Sequence, residues 1–335
     1  MERIAPKPPM IVGRKRIGHV LPAQLTERLT PLGTLFETSS MGVPDVNAAE
    51  WKLEVTGLVD CQASLSFNDL ISLPKRTLES VFVCSGNPAK PTIPLRRAAN
   101  VKWGGVSIVE LLDRAGIRHE ATHLWSYGLD HGTFYGVAQH HYVKDMPLAR
   151  LKEDNVLIAY ELNDQPLMPK NGFPARLVVP GYYGTNCVKW LCRLALVDRR
   201  ASEFQTIKMY SDLDLETDSS GKTGKPVWDV APESIIVSPK PKSKVPRSGT
   251  EIWGWAWSTC AVRSVEISLN GGRSWIETSL QPANGLSWQR FSHLWSPERN
   301  GSFNLLCRAL DLNGSTQPAD GARNAVYSMR VIVED

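Results

Sequence analysis

Apolar and polar residues alternate through several short runs of this chain, the mark of strands with one face buried. WKLEVTGLV, NVLIAYEL, ARLVVPG and VKWLCRLALV predict strands within residues 1–231. In CVKWLCRLALV the alternation places Val188, Trp190, Cys192 and Leu194 on one face and Lys189, Leu191 and Arg193 on the other. A longer period marks two helices. SFNDLISLP predicts a short one, with Ser66 as N-cap and Pro74 as its stop. SIVELLDRAGI predicts a second: Ser107 and Glu110 have capping-box spacing, Ile108, Leu111 and Leu112 form an apolar stripe, and Gly116 ends it. The mixture predicts an α+β domain, with helices packed around a largely irregular sheet.

Beyond APESIIVSPKPKSKVPRSG the pattern becomes all β, through EIWGWAWS, SVEISLNGGRSW, LSWQRFSHLW, SFNLLCRALDLNG and YSMRVIVE. LNGG between SVEIS and RSWIE is a hairpin turn. Roughly seven short strands predict an immunoglobulin-like sandwich. The boundary falls at residues 231 and 232, with 1–44 as an N-terminal arm of the first domain and 232–335 as the second. Six of the eleven tryptophans lie after residue 232, more than one small interior needs, so a subunit interface is a second place for them.

Composition narrows the classes. At 335 residues there is chain enough for two cores. A net charge of +4 is too small to imply nucleic acid, and the basic stretch PKPKSKVPR reads as a proline-rich linker. No apolar run approaches the ~20 residues of a membrane span. The N-terminal stretch has no apolar segment of the export type, and Arg14-Lys15-Arg16 is not followed by one. Cysteines 61, 84, 187, 192, 260 and 307 form no CxxC pair. Reduced thiols in the cytoplasm are therefore expected.

Two stretches carry candidate chemistry. In VFVCSGNPAK, Cys84 ends a β-prone run and precedes an abrupt turn. Taken alone it reads either as a packed structural thiol, the commoner case, or as a thiolate nucleophile or metal ligand. In NGFPARLVVPGYYGTNCVKW, a glycine-containing loop is flanked by Arg176 and Lys189. The loop amides and two cations make an anion cradle, or the cations cap a solvated sheet face. His131, His140 and His141 lack metal-site spacing, and adjacent residues on a strand point apart, so they read as loop or surface histidines.

Taken together, Cys84 after VFV and before SGN, NVLIAYELNDQPLMPKNGFPARLVVPG, GFPARLVVPGYYGTNCVKWL and GWAWSTCAVRSVEISLNGGRSW resemble the sulfite oxidase family of molybdenum enzymes, over about residues 45–335. The resemblance implies a molybdopterin-binding domain followed by an immunoglobulin-like dimerisation domain. It implies a pyranopterin dithiolene holding molybdenum, with Cys84 as the protein thiolate on the metal. It implies two-electron oxygen-atom transfer on a small-molecule substrate. Arg176 and Lys189 match residues that hold the pterin and its phosphate, with amides around Thr185, Asn186 and Cys187 as further donors. Asn87 matches the asparagine of the CxGN turn, and Asn171 stands where many relatives have a histidine facing the cofactor. Tyr210 in KMYSD matches the tyrosine on the substrate side of the metal.

The departures bear on the substrate. Thr38 and Ser40 stand where sulfite oxidases have an arginine for the sulfite dianion and a histidine. The second substrate-side arginine is replaced near SWQRFSHLW, with Phe291 at its place and Arg290 adjacent, and Pro88-Ala89 replaces a pair of arginines, with Lys90 next. Losing guanidinium groups costs several charge-assisted hydrogen bonds to an anion. Either the substrate is less charged, such as a sulfoxide, an N-oxide or an organic sulfur compound, or Arg96, Arg97 or another cation rebuilds the pocket. No haem motif is present, so a separate electron carrier is expected. Two alternatives stay open: an S- or N-oxide reductase with the same metal centre, and a non-catalytic cofactor-binding or interaction protein.

Overall fold

The computed structural model describes residues 16–17, 20–87, 95–212 and 224–335. Pro88, Ala89 and Lys90 lie outside the described residues, as do Arg14 and Lys15. The first domain rests on two sheets. One is ordered Val143–Pro147, His123–Gly128, Leu191–Val197, Lys52–Gly57 and Ala63–Ser66, antiparallel except where Leu191–Val197 runs parallel to Lys52–Gly57. The other is ordered Gln165–Pro166, Leu157–Leu162, Ala98–Ser107 and Lys75–Val83, with Arg176–Val178 also paired to Leu157–Leu162. Leu53, Val55, Leu194 and Leu196 from the first sheet and Val106, Ile158 and Leu177 from the second share one buried core.

Helix Phe67–Ile71 starts where expected: Ser66 Oγ accepts the Asp69 N–H at 3.2 Å, and the Asp69 carboxylate accepts the Ser66 N–H at 2.8 Å. Helix Ile108–Ala115 also forms, with Ile108, Leu111 and Leu112 buried and Gly116 ending it at φ 70°. Its capping box does not form. Ser107 Oγ donates instead to Asp154 Oδ1 at 2.8 Å, and Glu110 pairs with Arg114.

The alternation across CVKWLCRLALV also breaks. Trp190 has φ +49° and the strand begins only at Leu191, with a register shift before Arg193. Leu191 and Leu194 are consequently both buried. The kink turns Lys189 out of the sheet pattern and toward the site.

The second domain is a sandwich. A four-stranded sheet, Glu233–Ser238, Thr250–Trp257, Gln289–Trp295 and Ser279–Leu280, faces a five-stranded one containing Val262–Ser268, Gly301–Asp311 and Met329–Glu334. The LNGG turn holds Gly271 and Gly272 at positive φ and brings Ile267 opposite Ile276. The tryptophans settle the relation between the domains. Trp255, Trp257 and Trp288 pack with Val81, Val83, Ala98 and Tyr183 of the first domain. Trp255 stacks on Trp288 at 4.8 Å, and their indole N–H groups donate to Leu25 O at 2.7 Å and Arg28 O at 2.9 Å. Much of the aromatic surplus lies inside the chain, between its domains.

Candidate molybdenum-cofactor site

Three backbone segments meet at one pocket: the end of the Lys75–Val83 strand, the turn Gly184–Asn186, and the stretch from Phe36 to Ser40. A Cβ at Gly184 would lie 2.8 Å from the Phe82 ring, so only glycine lets that turn press against the strand that delivers Cys84. Phe36 stacks on Phe82 at 5.3 Å and fixes the third segment. Cys84 is half-buried and lines the pocket, and its N–H donates to Arg97 O at 2.9 Å.

Arg176 lies at the pocket's inner end, 3% exposed. It donates to Asn171 O at 2.9 Å and Cys187 O at 3.0 Å, and its guanidinium sits over the rings of Phe82 and Trp103. Among the described residues it has no carboxylate partner, and its Nε is left unbonded. Burial pulls its pKa down to about 10. Lys189 faces the same space and donates to Thr38 O, Ser39 Oγ and Lys170 O at 3.0–3.1 Å. Enclosure lowers its pKa and the nearby Arg176 charge lowers it further, while Asp130 opposes the shift. Burial raises the Asp130 carboxyl against the pull of Lys189.

Thr185, Tyr142 and Tyr210 also line the pocket. The Tyr142 hydroxyl lies 2.7 Å from Thr185 Oγ1 and also hydrogen-bonds Tyr210, with its pKa raised chiefly by burial. Tyr210 stacks on Phe134, with the Lys144 ammonium 5.2 Å from its ring.

Not every candidate reaches this pocket. Asn87 is buried outside its lining, where its amide donates to Glu233 Oε2 at 3.1 Å and its oxygen accepts the Arg97 N–H at 2.5 Å. Asn186 likewise turns away, donating to Val227 O at 2.9 Å. The Asn186 and Cys187 amides, expected as anion donors, are consumed inside their own turn by Tyr183 O and Gly184 O. Cys187 lines the pocket, but its sulfur accepts the Val179 N–H at 3.3 Å and burial pushes its thiol pKa up. Arg96 is ion-paired with Glu233, Arg290 stacks on Trp253, and Phe291 lies in the sandwich core. None of the three lines the pocket.

The comparisons with known proteins fit this geometry. Residues 40–205 match the family described as oxidoreductase molybdopterin binding domain, and residues 224–332 the Mo-co oxidoreductase dimerisation domain. Mitochondrial sulfite oxidase of Rattus norvegicus is 29% identical over 333 residues, covering 89% of this chain and 59% of its own length. Sulfite oxidase of Gallus gallus is 30% identical over 329 residues, covering 89% of this chain and 70% of its own. The chain belongs to the sulfite oxidase family of molybdopterin oxidoreductases.

The sulfane dehydrogenase SoxCD from Paracoccus pantotrophus superposes with a TM-score of 0.80 at 26% identity, over 92% of this chain and 82% of its own. The chain spans about 59% of the length of the rat enzyme. The family's cofactor can be tested against the pocket itself. Two cations, Arg176 buried and Lys189 half-buried, repel one another, the Asn171 Oδ1 and Arg176 Nε atoms are orphaned, and a half-buried cysteine lines the pocket. An anionic, hydrogen-bonding pterin with a soft metal at one end answers each of these features, so the residues fit it.

Among the pocket residues that sequence reasoning missed are Glu37, Asp130, Tyr142 and Lys170. Lys170 adjoins Asn171 and could have been taken with it. Asp130 follows the His123–Gly128 strand beside the histidines that drew attention. Those histidines bond backbone, His141 Nδ1 to Gly128 O at 2.9 Å and His131 Nδ1 to Leu129 O at 3.1 Å. Tyr142 had no local signal.

Proposed function

We propose that this protein is a molybdenum-cofactor oxidoreductase that transfers an oxygen atom in a two-electron step, acting on a reduced-sulfur compound less anionic than sulfite. The observation that carries the reading is the pairing of Cys84 with a buried Arg176 that has no carboxylate partner among the described residues, in one pocket. Cys84 is the thiolate for the metal. Arg176 and Lys189 hold the anionic end of the pterin, and Asn171 and Thr185 orient it. When bound, the molybdenum cofactor supplies the two-electron couple and the oxygen-atom exchange. The protein keeps the thiolate, the cations and the tyrosine hydroxyls in fixed relation around it.

The substrate reading rests on the mouth. Phe36, Glu37, Thr38, Ser39 and Ser40 line it, with no arginine among them. Lys170 is the added cation, but it stands 3.6 Å from the Glu37 carboxylate, which is 14% exposed. A carboxylate there repels a dianion and tolerates a neutral or singly charged sulfur compound. The likeness to a sulfane dehydrogenase agrees with this class. Tyr210 and Tyr142 offer hydroxyls on the substrate side, and electrons leave to a separate carrier. The dimerisation-domain match supports a homodimer, and six free thiols fit the cytoplasm.

The test is metal and pterin analysis of protein from a cofactor-competent host, then turnover on sulfite, sulfane-sulfur compounds, sulfoxides and N-oxides with artificial electron donors and acceptors. We expect one molybdenum per chain, its loss in Cys84→Ser, and oxidation of a less charged sulfur substrate in preference to sulfite. Absence of molybdenum overturns the cofactor reading; preferential turnover of sulfite overturns the substrate reading.

A further inference from the structure

The turn that carries Cys84 is held from the other domain. Cys84 N–H donates to Arg97 O at 2.9 Å, and Arg97 N–H donates to Asn87 Oδ1 at 2.5 Å, which closes the base of the turn. The preceding residue, Arg96, exchanges backbone hydrogen bonds with Val20 at 2.8 and 2.9 Å. What fixes Asn87 belongs to the sandwich. Its amide donates to Glu233 Oε2 at 3.1 Å, while Glu233 Oε1 lies 2.9 Å from Arg96 Nε. Glu233 opens the first strand of the C-terminal domain and is 3% exposed. A second side chain from that domain, Arg323, donates to Ser85 O at 3.3 Å and lies over the Tyr183 ring. Tyr183 leads directly into the Gly184–Asn186 turn of the same pocket.

We propose that Glu233, supported by Arg323, is a positioning residue that sets the place of the Cys84 sulfur, making the C-terminal domain part of the metal site's outer framework. This rests on the reading of Cys84 as the metal thiolate. A carboxylate suits the task because it has two acceptor oxygens, one for the Asn87 amide and one for the Arg96 guanidinium. Glutamine offers a single carbonyl oxygen and must turn its NH2 toward one of those two donors. The strand–turn junction alone leaves Cys84 at the edge of a pocket, with one backbone hydrogen bond from its N–H among the described residues. Cross-domain bonds remove that freedom, as outer groups do for ligands at metal sites.

Two readouts on the full chain test this, in Glu233→Gln and in Arg323→Met, whose side chain is only half-buried. The first uses cofactor-free protein and so stands apart from the molybdenum reading. Each thiol's alkylation rate with iodoacetamide is followed by peptide mass spectrometry. Cys84 should react about tenfold faster in Glu233→Gln, and less so in Arg323→Met, while Cys187 and Cys192 keep their rates. The second readout is the molybdenum content of protein from a cofactor-competent host and its sulfur-to-metal charge-transfer absorption. Affinity for the metal should fall about 10- to 100-fold, read as lower occupancy, or the band should shift. A Cys84 rate and a metal content unchanged in both variants overturn the proposal. So does an equal rise at Cys84, Cys187 and Cys192, which reports general loosening. If Glu233→Gln fails to fold, Arg323→Met alone decides, by the same rates. If Cys84 alone becomes reactive but even the unaltered protein binds no molybdenum, the positional claim holds and the metal reading falls.

Discussion

Replacing Arg176 with methionine separates what the pocket needs for itself from what it needs for its cofactor. The guanidinium is buried with no carboxylate partner among the described residues, and its pKa falls from 12.5 to about 10. At 1.36 kcal/mol per pKa unit, that displacement corresponds to about 3 kcal/mol of desolvation. On the other side stand hydrogen bonds to Asn171 O and Cys187 O. Bonds to a charged donor contribute about 1.5–3 kcal/mol each. The terms nearly cancel, and methionine retains packing against Phe82 and Trp103. Cofactor-free Arg176→Met should therefore differ from the parent by no more than about 2 kcal/mol in urea unfolding. Holding the cofactor is a different matter, since losing one partner of a buried charge pair costs about 3 kcal/mol, or roughly 100-fold in affinity. The assay compares urea midpoints of the cofactor-free proteins with molybdenum content after expression in a cofactor-competent host. Full molybdenum in Arg176→Met would refute the reasoning. So would collapse of the cofactor-free protein by more than about 4 kcal/mol, which would make the arginine a structural residue.

Three further outcomes follow. Burial lowers the Lys189 pKa and raises that of Asp130, so both changes make the pocket less cationic as pH rises through neutrality. Phosphate binding to the cofactor-free protein, measured by calorimetry, should weaken across that range and take up protons; affinity constant up to the ordinary lysine value of 10.5 would contradict it. Trp288→Ala removes a buried indole stacked on Trp255 and its bond to Arg28 O, and should cost about 3–5 kcal/mol in urea unfolding, with the two domains separating first. A loss below about 1 kcal/mol would mean that the cluster does not join the domains. Glu37→Gln removes the carboxylate at the mouth and should lower KM for sulfite roughly fivefold while leaving that for a neutral sulfur substrate unchanged; equal effects on both would remove charge as the selector.

The pattern along the chain by itself determined the two domains, most of their strands, both helices and the residues nearest the proposed chemistry. Alternation, turn chemistry and capping signals act over a few residues, so Ser66 and Asp69 close one helix start as their spacing demands. Cys84, Arg176 and Lys189 stood out because a thiol at a strand end and cations beside a glycine turn are local features. What the tertiary structure alone decided involves a second segment. Ser107 left its helix cap for Asp154, Trp190 took a positive φ that broke the alternation before Leu191, and Lys170 and the backbone-paired Asp130 and Tyr142 entered the pocket from two separate places. Asn87 illustrates the limit best: its neighbours in sequence put it beside the proposed metal thiolate, yet Glu233, 146 positions away, holds its amide outside the pocket lining. A side chain's partner is set by which buried donor or acceptor would otherwise go unpaired, and that is known only once the distant strands are packed together.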